Sequence, residues 1–445
     1  MKNWLLILIC TICGTMSAAV VTLKVEAEKS VLPADRDQEA LVRIAVSAAE
    51  MPKKNRIPQV NLSIALDNSS SMRGGNKIEN AIQAAKNAVD LLSDGDFFSL
   101  VTYNSSANVL IPVTQINTAT RREIHQALDS VRPMGTTALF AGVSLSASEL
   151  RKNIGRAGTV NRLILLSDGQ ANVGPSSAVE LGRLGAALVK EGISVSTVGV
   201  GSDYNEDLMT ALAQNSDGNF YFVENSSQLS LILEKELGSA LSVAAQGIKI
   251  RITCPPGIRP RGILGHQCQI NGQTIEINFN QLYAGHDKIL ILQLDVPPRP
   301  NGQSAPLADI KVEYKPNGSD RINAVSHGVT VAFSGDTAAQ TASLNKDVSA
   351  SVVLQKSAAI RREALKAADS GDYATSVKTL DKAKQLLEEN AAVTGNADVK
   401  RDVDQLQQEQ KKLEKAQSAP SSYNQTRKEI LGRNYQIKNS QVYKQ

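Results

Sequence analysis

The sequence predicts an α/β protein built on a doubly wound, mostly parallel sheet of the Rossmann-like kind, flanked by a β-sandwich-like region and a C-terminal helical segment. Strand patterns alternate with helix patterns over residues 58–241, which is typical of a parallel sheet covered by helices on both faces. Residues 20–57 and 242–336 show β character, and residues 337–416 show helical spacing. A chain of 445 residues is long enough for two or three such domains.

Residues 1–19 have the layout of a secretory signal peptide. Lys2 supplies the positive end, residues 4–13 form an apolar core, and residues 17–19 are small enough for a cleavage site. The core is too short for a comfortable membrane span, and no later segment is long and apolar enough to supply one. We therefore expect an exported protein, periplasmic or extracellular, with no transmembrane domain in the mature chain. An uncleaved membrane anchor is the alternative.

The α/β region is predicted from short apolar runs bounded by turn-forming residues and from apolar residues at helical spacing. Its predicted strands are 60–66, 97–101, 163–166, 193–200 and 220–223. Its predicted helices are 78–92, 124–131, 139–150, 178–189, 206–213 and 229–241.

The flanking regions follow from the same patterns. Strands are expected on both sides of the α/β unit, at 20–25, 40–46, 247–253, 274–279, 289–296 and 310–314, with a hairpin turn at Asn271-Gly272. This order suggests a single sandwich with the α/β unit inserted between its strands. Beyond it, the sequence predicts a helical hairpin followed by a polar helix and a flexible, mildly basic tail, at 353–368, 374–387, 399–416 and 417–445.

Export would leave Cys254 and Cys268 as the cysteines of the mature chain. In an oxidising compartment an isolated pair predicts a disulfide that closes a short loop, worth about 3 kcal/mol. Two free buried thiols are the alternative. The spacing of the pair fits no zinc motif.

The charge of the chain argues against one class of partner. The formal net charge of +4 is too small to indicate a nucleic-acid-binding protein. Charged residues are dispersed and aromatic residues make up only 4% of the chain, so no stacking platform for bases is expected.

Asp67, Ser69 and Ser71 follow directly on the apolar strand predicted at 60–66. Open α/β sheets bind ligands at the carboxyl ends of their strands. A carboxylate with neutral hydroxyl oxygens suits a small hard cation that keeps free coordination positions. Alone, a D-x-S-x-S pattern is weak evidence, because average residue usage produces it in about one chain in ten of this size.

Two further loops strengthen the prediction of a metal site. Thr137 lies in the stretch 135–139 between helical segments, and Asp168 follows the strand predicted at 163–166. Loops after neighbouring strands of a doubly wound sheet converge at one edge. We therefore expect two carboxylates and three hydroxyls to face a single point from three loops.

This arrangement resembles the von Willebrand factor type A (VWA) domain and its metal-ion-dependent adhesion site over residues 58–241. In the family the two serines bind the metal directly, while the aspartate and threonine positions bind directly or through water. The resemblance implies that one Mg²⁺, with Ca²⁺ or Mn²⁺ as alternatives, is surrounded by five residues: Asp67, Ser69, Ser71, Thr137 and Asp168.

Two details of the family pattern bear on this assignment. Thr137 is preferred to Thr136 because the pattern reads Gly-x-Thr, with a later glycine that Gly142 matches. Many relatives carry glycine between the two serines, where this chain has Ser70. That departure puts the tightness of the turn in question but not the number of ligands.

The wider layout resembles exported bacterial proteins labelled calcium-activated chloride channel homologues and, more distantly, inter-alpha-trypsin inhibitor heavy chains. Residues 198–201, 205–208 and 218–222 fit the bacterial group. The channel label is not supported, since no segment could line a pore.

The resemblance implies a binding protein in which an Asp or Glu carboxylate of a protein partner completes the coordination of the metal. A structural or assembly scaffold of the cell envelope, in which the metal is mainly stabilising, is the alternative. An enzyme is not expected, because H-E-x-x-H and G-x-S-x-G motifs are absent and four histidines lie outside the three loops: His125, His266, His286 and His327.

Overall fold

The computed structural model describes residues 20–49, 59–156, 158–201, 204–266, 268–416 and 420–439. The predicted signal peptide, residues 1–19, lies outside the described residues, as do positions 440–445 of the predicted tail.

Two strand-rich segments enclose the alternating one. The strands are β1 (Val21–Ala27), β2 (Val31–Pro33), β3 (Gln38–Ala48), β4 (Gln59–Asp67), β5 (Phe97–Tyr103), β6 (Ala107–Gln115), β7 (Thr159–Ser167), β8 (Ile193–Val200), β9 (Phe220–Val223), β10 (Val243–Thr253), β11 (Arg259–Ile263), β12 (Gln269–Asn271), β13 (Thr274–Tyr283), β14 (Asp287–Val296), β15 (Ser304–Pro316) and β16 (Asn323–Ser334). The helices are α1 (Lys77–Leu91), α2 (Thr118–Asp129), α3 (Leu139–Arg151), α4 (Ala178–Lys190), α5 (Glu206–Asn215), α6 (Leu229–Leu241), α7 (Thr337–Ala342), α8 (Lys346–Asp369), α9 (Tyr373–Thr394), α10 (Ala397–Ala416) and α11 (Pro420–Lys438).

The central sheet has the order β6-β5-β4-β7-β8-β9, and its strands are parallel apart from β6. This confirms the predicted α/β fold. The strand β6 was not expected from the sequence. It lies at the edge of the sheet and buries only one of its apolar side chains fully, Ile111, so it lacks the apolar run that marks the inner strands.

The two faces of the sheet are covered by different helices. Side chains of α1, α2 and α6, such as Ile78, Leu128 and Leu233, pack on one face. Those of α3, α4 and α5, such as Val143 and Leu188, pack on the other. Because both faces are buried, β4 and β7 contain unbroken apolar stretches, 64–66 and 163–166, which is why the sequence located them. The buried strand β8 instead alternates apolar residues with small ones such as Ser194 and Ser196.

The flanking strands form two sheets around a shared apolar core. One sheet has the order β1-β3-β14-β11 and the other β12-β13-β10-β15-β16-β2. The strand β3, before the α/β unit, pairs with β14, after it, with Ile44 opposite Leu290. The α/β unit is therefore inserted between strands of one sandwich, as the segment order suggested. The hairpin at Asn271-Gly272 is also present, with Asn271 opposite Thr274.

The predicted disulfide between Cys254 and Cys268 is not formed. Both residues are free thiols, Cys254 inside the core of the sandwich and Cys268 partly buried against it. Burial raises the pKa of the Cys254 thiol to about 11. Each side chain thus serves as a small apolar packing group, the alternative that the sequence left open.

The prediction of a flexible tail over 417–445 is wrong for residues 420–438, which form α11. Ile430 and Ile437 are buried in the core of the helical segment. Tyr435 packs in the core of the α/β unit, and its ring lies 6.0 Å from that of Phe220. The polar composition of the segment concealed the helix because its apolar residues face two different partners. None of the helices in the described part of the chain is long and apolar enough to cross a membrane.

Arg427 of α11 connects two parts of the molecule. Its guanidinium binds Asp207 of α5 at 2.8 Å and Asp369 of α8 at 2.7 Å, and it also pairs with Glu206. The Arg427 side chain is only 16% exposed and that of Glu206 9%, whereas Asp207 and Asp369 are partly open to solvent. The ionic contacts therefore fix the helical segment to the α/β unit.

Replacing Arg427 with methionine is expected to lower the free energy of unfolding by about 2 kcal/mol, because three carboxylates lose a shared, largely buried counter-charge. Urea denaturation of the mature chain, followed by circular dichroism, measures the change.

The control is Arg401→Met. The Arg401 side chain is 54% exposed and pairs with Asp398 within α10, so its loss should change the free energy of unfolding by less than about 0.5 kcal/mol. Equal stability of the two variants would show that the ion pairs of Arg427 do not stabilise the attachment of α11 to the α/β unit.

Candidate metal centre

Asp67 is the last residue of β4, between β5 and β7 at the point where the chain changes its direction of travel across the sheet. Its side chain is fully buried. One carboxylate oxygen accepts a hydrogen bond from the Ser69 N–H at 2.8 Å and the other from the Ser167 hydroxyl at 2.7 Å. Burial raises the pKa of Asp67 to about 6, even though these hydrogen bonds act to lower it. The carboxylate is thus short of compensating positive charge.

Ser69 and Ser71 bring two hydroxyls to the same place. The chain enters a short 3₁₀ turn, Ser70–Arg73, directly after Ser69. The Ser69 and Ser71 hydroxyl oxygens lie 2.9 Å apart, and Ser71 donates a hydrogen bond to Asp168 Oδ1 at 2.7 Å. The side chain of Ser70 is exposed, and its φ is not positive. Glycine is therefore not required between the serines, which answers the question raised by that departure from the family pattern.

The third loop distinguishes Thr137 from Thr136. The Thr137 side chain is buried, and its N–H donates to the Asn172 side-chain oxygen at 2.8 Å. Thr136 is exposed, and its hydroxyl pairs with that of Ser105 at 2.9 Å, away from the other loops. Gly135 has a φ of +72°, and a Cβ there would lie 2.6 Å from the Ser105 hydroxyl oxygen. The loop geometry thus turns Thr137 inward.

Gly169, next to Asp168, shows how closely the three loops converge. A Cβ placed on it would lie 3.0 Å from Thr137 Oγ1, 3.4 Å from Ser71 Oγ and 3.7 Å from Asp67 Oδ2. The structure therefore brings together all five residues singled out from the sequence. We call the space that they surround the oxygen cradle: Asp67, Ser69, Ser71, Thr137 and Asp168.

The oxygen cradle suits a hard divalent cation. Two carboxylates and three hydroxyls are the kind of ligand that Mg²⁺, Mn²⁺ and Ca²⁺ prefer. No group of three or more His, Cys, Asp or Glu side chains able to hold a metal occurs in the described residues. The remaining oxygen atoms of the cradle, beyond its two carboxylates, thus come from hydroxyl groups rather than from further acidic side chains.

Three further residues of the site were not predicted from the sequence. Ser167 binds Asp67, Asn172 holds the loop of Thr137, and the ammonium group of Lys77 lies 2.6 Å from Asp168 Oδ2. Ser167 adjoins a predicted ligand and could have been found on that ground. Lys77 starts the helix α1 and has no sequence signal that separates it from any other lysine in a first helical turn.

The histidines lie outside the three loops, as the sequence indicates. His125 pairs with Asp90 at 3.1 Å on the surface, and His327 is exposed on β16. His266 is half-buried between the sandwich and α11, and desolvation of its ring lowers its pKa to about 4.

Comparison with known proteins identifies the α/β unit. Residues 61–235 match the von Willebrand factor type A domain. The chain is 26% identical over 287 residues to the uncharacterized protein YfbK of Escherichia coli, aligning with 63% of this chain but only 48% of that protein. It is 24% identical to an uncharacterized Synechocystis protein, over 77% of this chain and 82% of that one. Inter-alpha-trypsin inhibitor heavy chain H2 of the mouse is 26% identical over 36% of this chain and 17% of its own length.

Two solved structures superpose on most of the chain. A von Willebrand factor type A protein from Catenulispora acidiphila superposes with a TM-score of 0.70 at 20% identity, covering 86% of this chain and 88% of that one. The ArnB paralog VWA2 from Sulfolobus acidocaldarius superposes with a TM-score of 0.61 at 17% identity, covering 95% and 99%. These likenesses extend over the sandwich and the helices as well as the sheet.

Domains of this family commonly bind a divalent metal ion and mediate protein interactions. The matched residues cover the parallel sheet, and the oxygen cradle lies within them. Residues 61–235 of the chain are a von Willebrand factor type A domain.

Proposed function

We propose that the chain is an exported, Mg²⁺-dependent binding protein that captures a protein partner through an Asp or Glu carboxylate. The observation that carries the proposal is the convergence of side-chain oxygens from three loops into a cradle that is closed on one side and open on the other. Asp67 and Asp168 are fully buried, whereas Ser71 is exposed. A metal held there would be bound by the protein from below and would face solvent at Ser71.

The chemistry of such a metal explains the choice of ligand. Mg²⁺ is bound by oxygen atoms in a near-octahedral arrangement, and protein sites commonly leave some positions to water. Asp67, Asp168 and the three hydroxyls would hold the ion, and a partner's carboxylate would replace water on the open side. The loops around the cradle would then select among acidic partners.

Catalysis is less well supported than binding. Activation of water or of a phosphate would need a general base or acid beside the metal. The described side chains that form hydrogen bonds or ion pairs with the two carboxylates are serine hydroxyls and the Lys77 ammonium, which pairs with Asp168. We accordingly propose a binding protein rather than an enzyme.

Two further parts of the proposal rest on the sequence. The signal-peptide pattern of residues 1–19 supports export to the periplasm or the medium. The scaffold alternative gains some support from the docking of α11 on the α/β unit, since a rigid body with several surfaces suits assembly. The scaffold alternative differs from the leading proposal because it expects that EDTA releases no bound partner protein.

Gly169→Ala is expected to abolish stabilisation by Mg²⁺, because the added methyl group would intrude on the oxygen cradle between Thr137 and Ser71. The natural protein should gain about 2.7 kcal/mol when Mg²⁺ exceeds its dissociation constant a hundredfold. Thermal unfolding of the mature chain with MgCl₂ and with EDTA measures the difference.

The matched control is Gly74→Ala. A Cβ at Gly74 meets nothing within 4 Å, and its φ of −83° suits alanine. This variant should keep the full stabilisation by Mg²⁺. The proposed metal site is refuted if Mg²⁺ fails to stabilise the natural protein, or if it stabilises Gly169→Ala equally.

The immobilised natural chain should capture partner proteins from a native envelope extract in the presence of Mg²⁺ and release them in EDTA. The Asp67→Asn variant should fail to capture these proteins. The substitution removes one of the two cradle charges while keeping the size of the side chain, and quantitative mass spectrometry of the captured proteins measures the loss. The control is Asp94→Asn, whose side chain is 71% exposed and pairs with Arg121 at 3.0 Å. Undiminished capture by a folded Asp67→Asn chain would falsify partner binding through the metal.

A further inference from the structure

Lys77 stands out among the charged groups near the metal centre because the metal-binding proposal gives it no role. Its ammonium group lies 2.6 Å from Asp168 Oδ2, on the side of that carboxylate opposite to the hydrogen bond from Ser71. Asp168 is fully buried and the Lys77 side chain is 19% exposed. The pair is thus a largely buried ion pair whose acidic member is also a predicted metal ligand.

The backbone around Lys77 holds its side chain in place. Lys77 is the first residue of α1, so its Cα is fixed by the helix that follows the serine loop. A Cβ on Gly201, at the end of β8, would lie 3.5 Å from Lys77 Cε and 3.6 Å from its Nζ. The ammonium group is therefore confined between the ends of β7 and β8 and is not a freely moving surface charge.

A pocket of about 490 Å³ opens beside this group, away from the oxygen cradle. Its lining includes Lys77, Val200 and Glu224. The Glu224 carboxylate accepts a hydrogen bond from Gln425 of α11 at 3.1 Å, whereas the Lys77 ammonium is directed to Asp168. Asp168 is thus the acidic group with which Lys77 forms an ion pair among the described residues.

The charges of the site have a consequence for both the metal and its partner. Asp67 and Asp168 together carry −2, and Lys77 brings the sum to −1. A divalent ion would then leave the loaded site at +1, and a partner's carboxylate would bring it to zero. Without Lys77 the loaded site would already be neutral, and an incoming carboxylate would make it negative.

We propose that Lys77 divides the affinity of this site between its two ligands, weakening the binding of the divalent metal and strengthening the binding of the partner's carboxylate. This inference rests on the proposed function and deepens it, since it explains why a metal held by two carboxylates still attracts a third. The effect is electrostatic, because a unit charge a few ångströms from a partly desolvated ion changes its affinity about tenfold or more.

The test compares Lys77→Met with the natural protein, using Mn²⁺ as the metal and acetate as the carboxylate. Mn²⁺ affinity is measured by isothermal titration calorimetry, and acetate binding by the loss of water proton relaxation enhancement on the Mn²⁺-loaded protein. Lys77→Met should bind Mn²⁺ about tenfold more tightly and acetate about tenfold more weakly. Lys77→Arg keeps the charge and should restore both values towards those of the natural protein.

Lys86→Met is the matched control. Lys86 lies on the same helix, forms an ion pair of the same length, 2.6 Å, with Asp129, and has a similar side-chain exposure of 17%. It should leave both affinities unchanged. Any general effect of lowering the net charge of the chain would appear equally in this variant.

The outcomes separate the two proposals. If the natural protein does not bind Mn²⁺, the proposed function fails. The role given to Lys77 is overturned if the natural protein binds Mn²⁺ but Lys77→Met changes neither affinity. It is also overturned if the substitution weakens the binding of both Mn²⁺ and acetate, as the loss of a merely structural residue would.

Discussion

The hydrogen bond from Ser167 to Asp67 joins the ends of the two central strands, and the oxygen cradle is built on these strand ends. The register of β4 against β7, with Leu66 opposite Leu166, places these two residues side by side at the edge of the sheet. A shift of that register by one residue would turn the Asp67 side chain to the other face of the sheet. The serine loop, the threonine loop and Lys77 are all attached to this pair of strand ends.

The same edge illustrates how a binding site opposes stability. Two carboxylates are fully buried there, and burial raises the pKa of Asp67 because its charged form is poorly compensated. Hydrophobic packing on both faces of the sheet offsets the unfavourable free energy of this arrangement. The packed sheet is thus stable enough to hold two buried carboxylates close together, although each carboxylate does not have its own counter-charge.

The sequence predicted those parts of the molecule whose signal is local. The inner strands are buried on both faces and appear as apolar runs, and Asp67, Thr137 and Asp168 follow patterns with fixed spacing. The parts that were missed depend on distant contacts. The edge strand β6 has little buried surface, α11 divides its apolar residues between two cores, and Lys77 acquires its meaning only from its distance to Asp168. The disulfide was inferred from the number of cysteines, whereas packing in the sandwich leaves both as thiols.

The ring of Tyr435 lies in the core of the α/β unit although its residue belongs to the last helix of the described chain. Its hydroxyl donates to the carbonyl oxygen of Gly218, at the start of β9, and the neighbouring Arg427 and Lys428 reach the beginning of α5. The core of the α/β unit is therefore continuous in space but not in sequence. A fragment cut at its apparent boundary near residue 241 would keep every predicted ligand and yet expose apolar surface around Phe220 that the full chain conceals. The unit that folds is larger than the unit that the family pattern outlines.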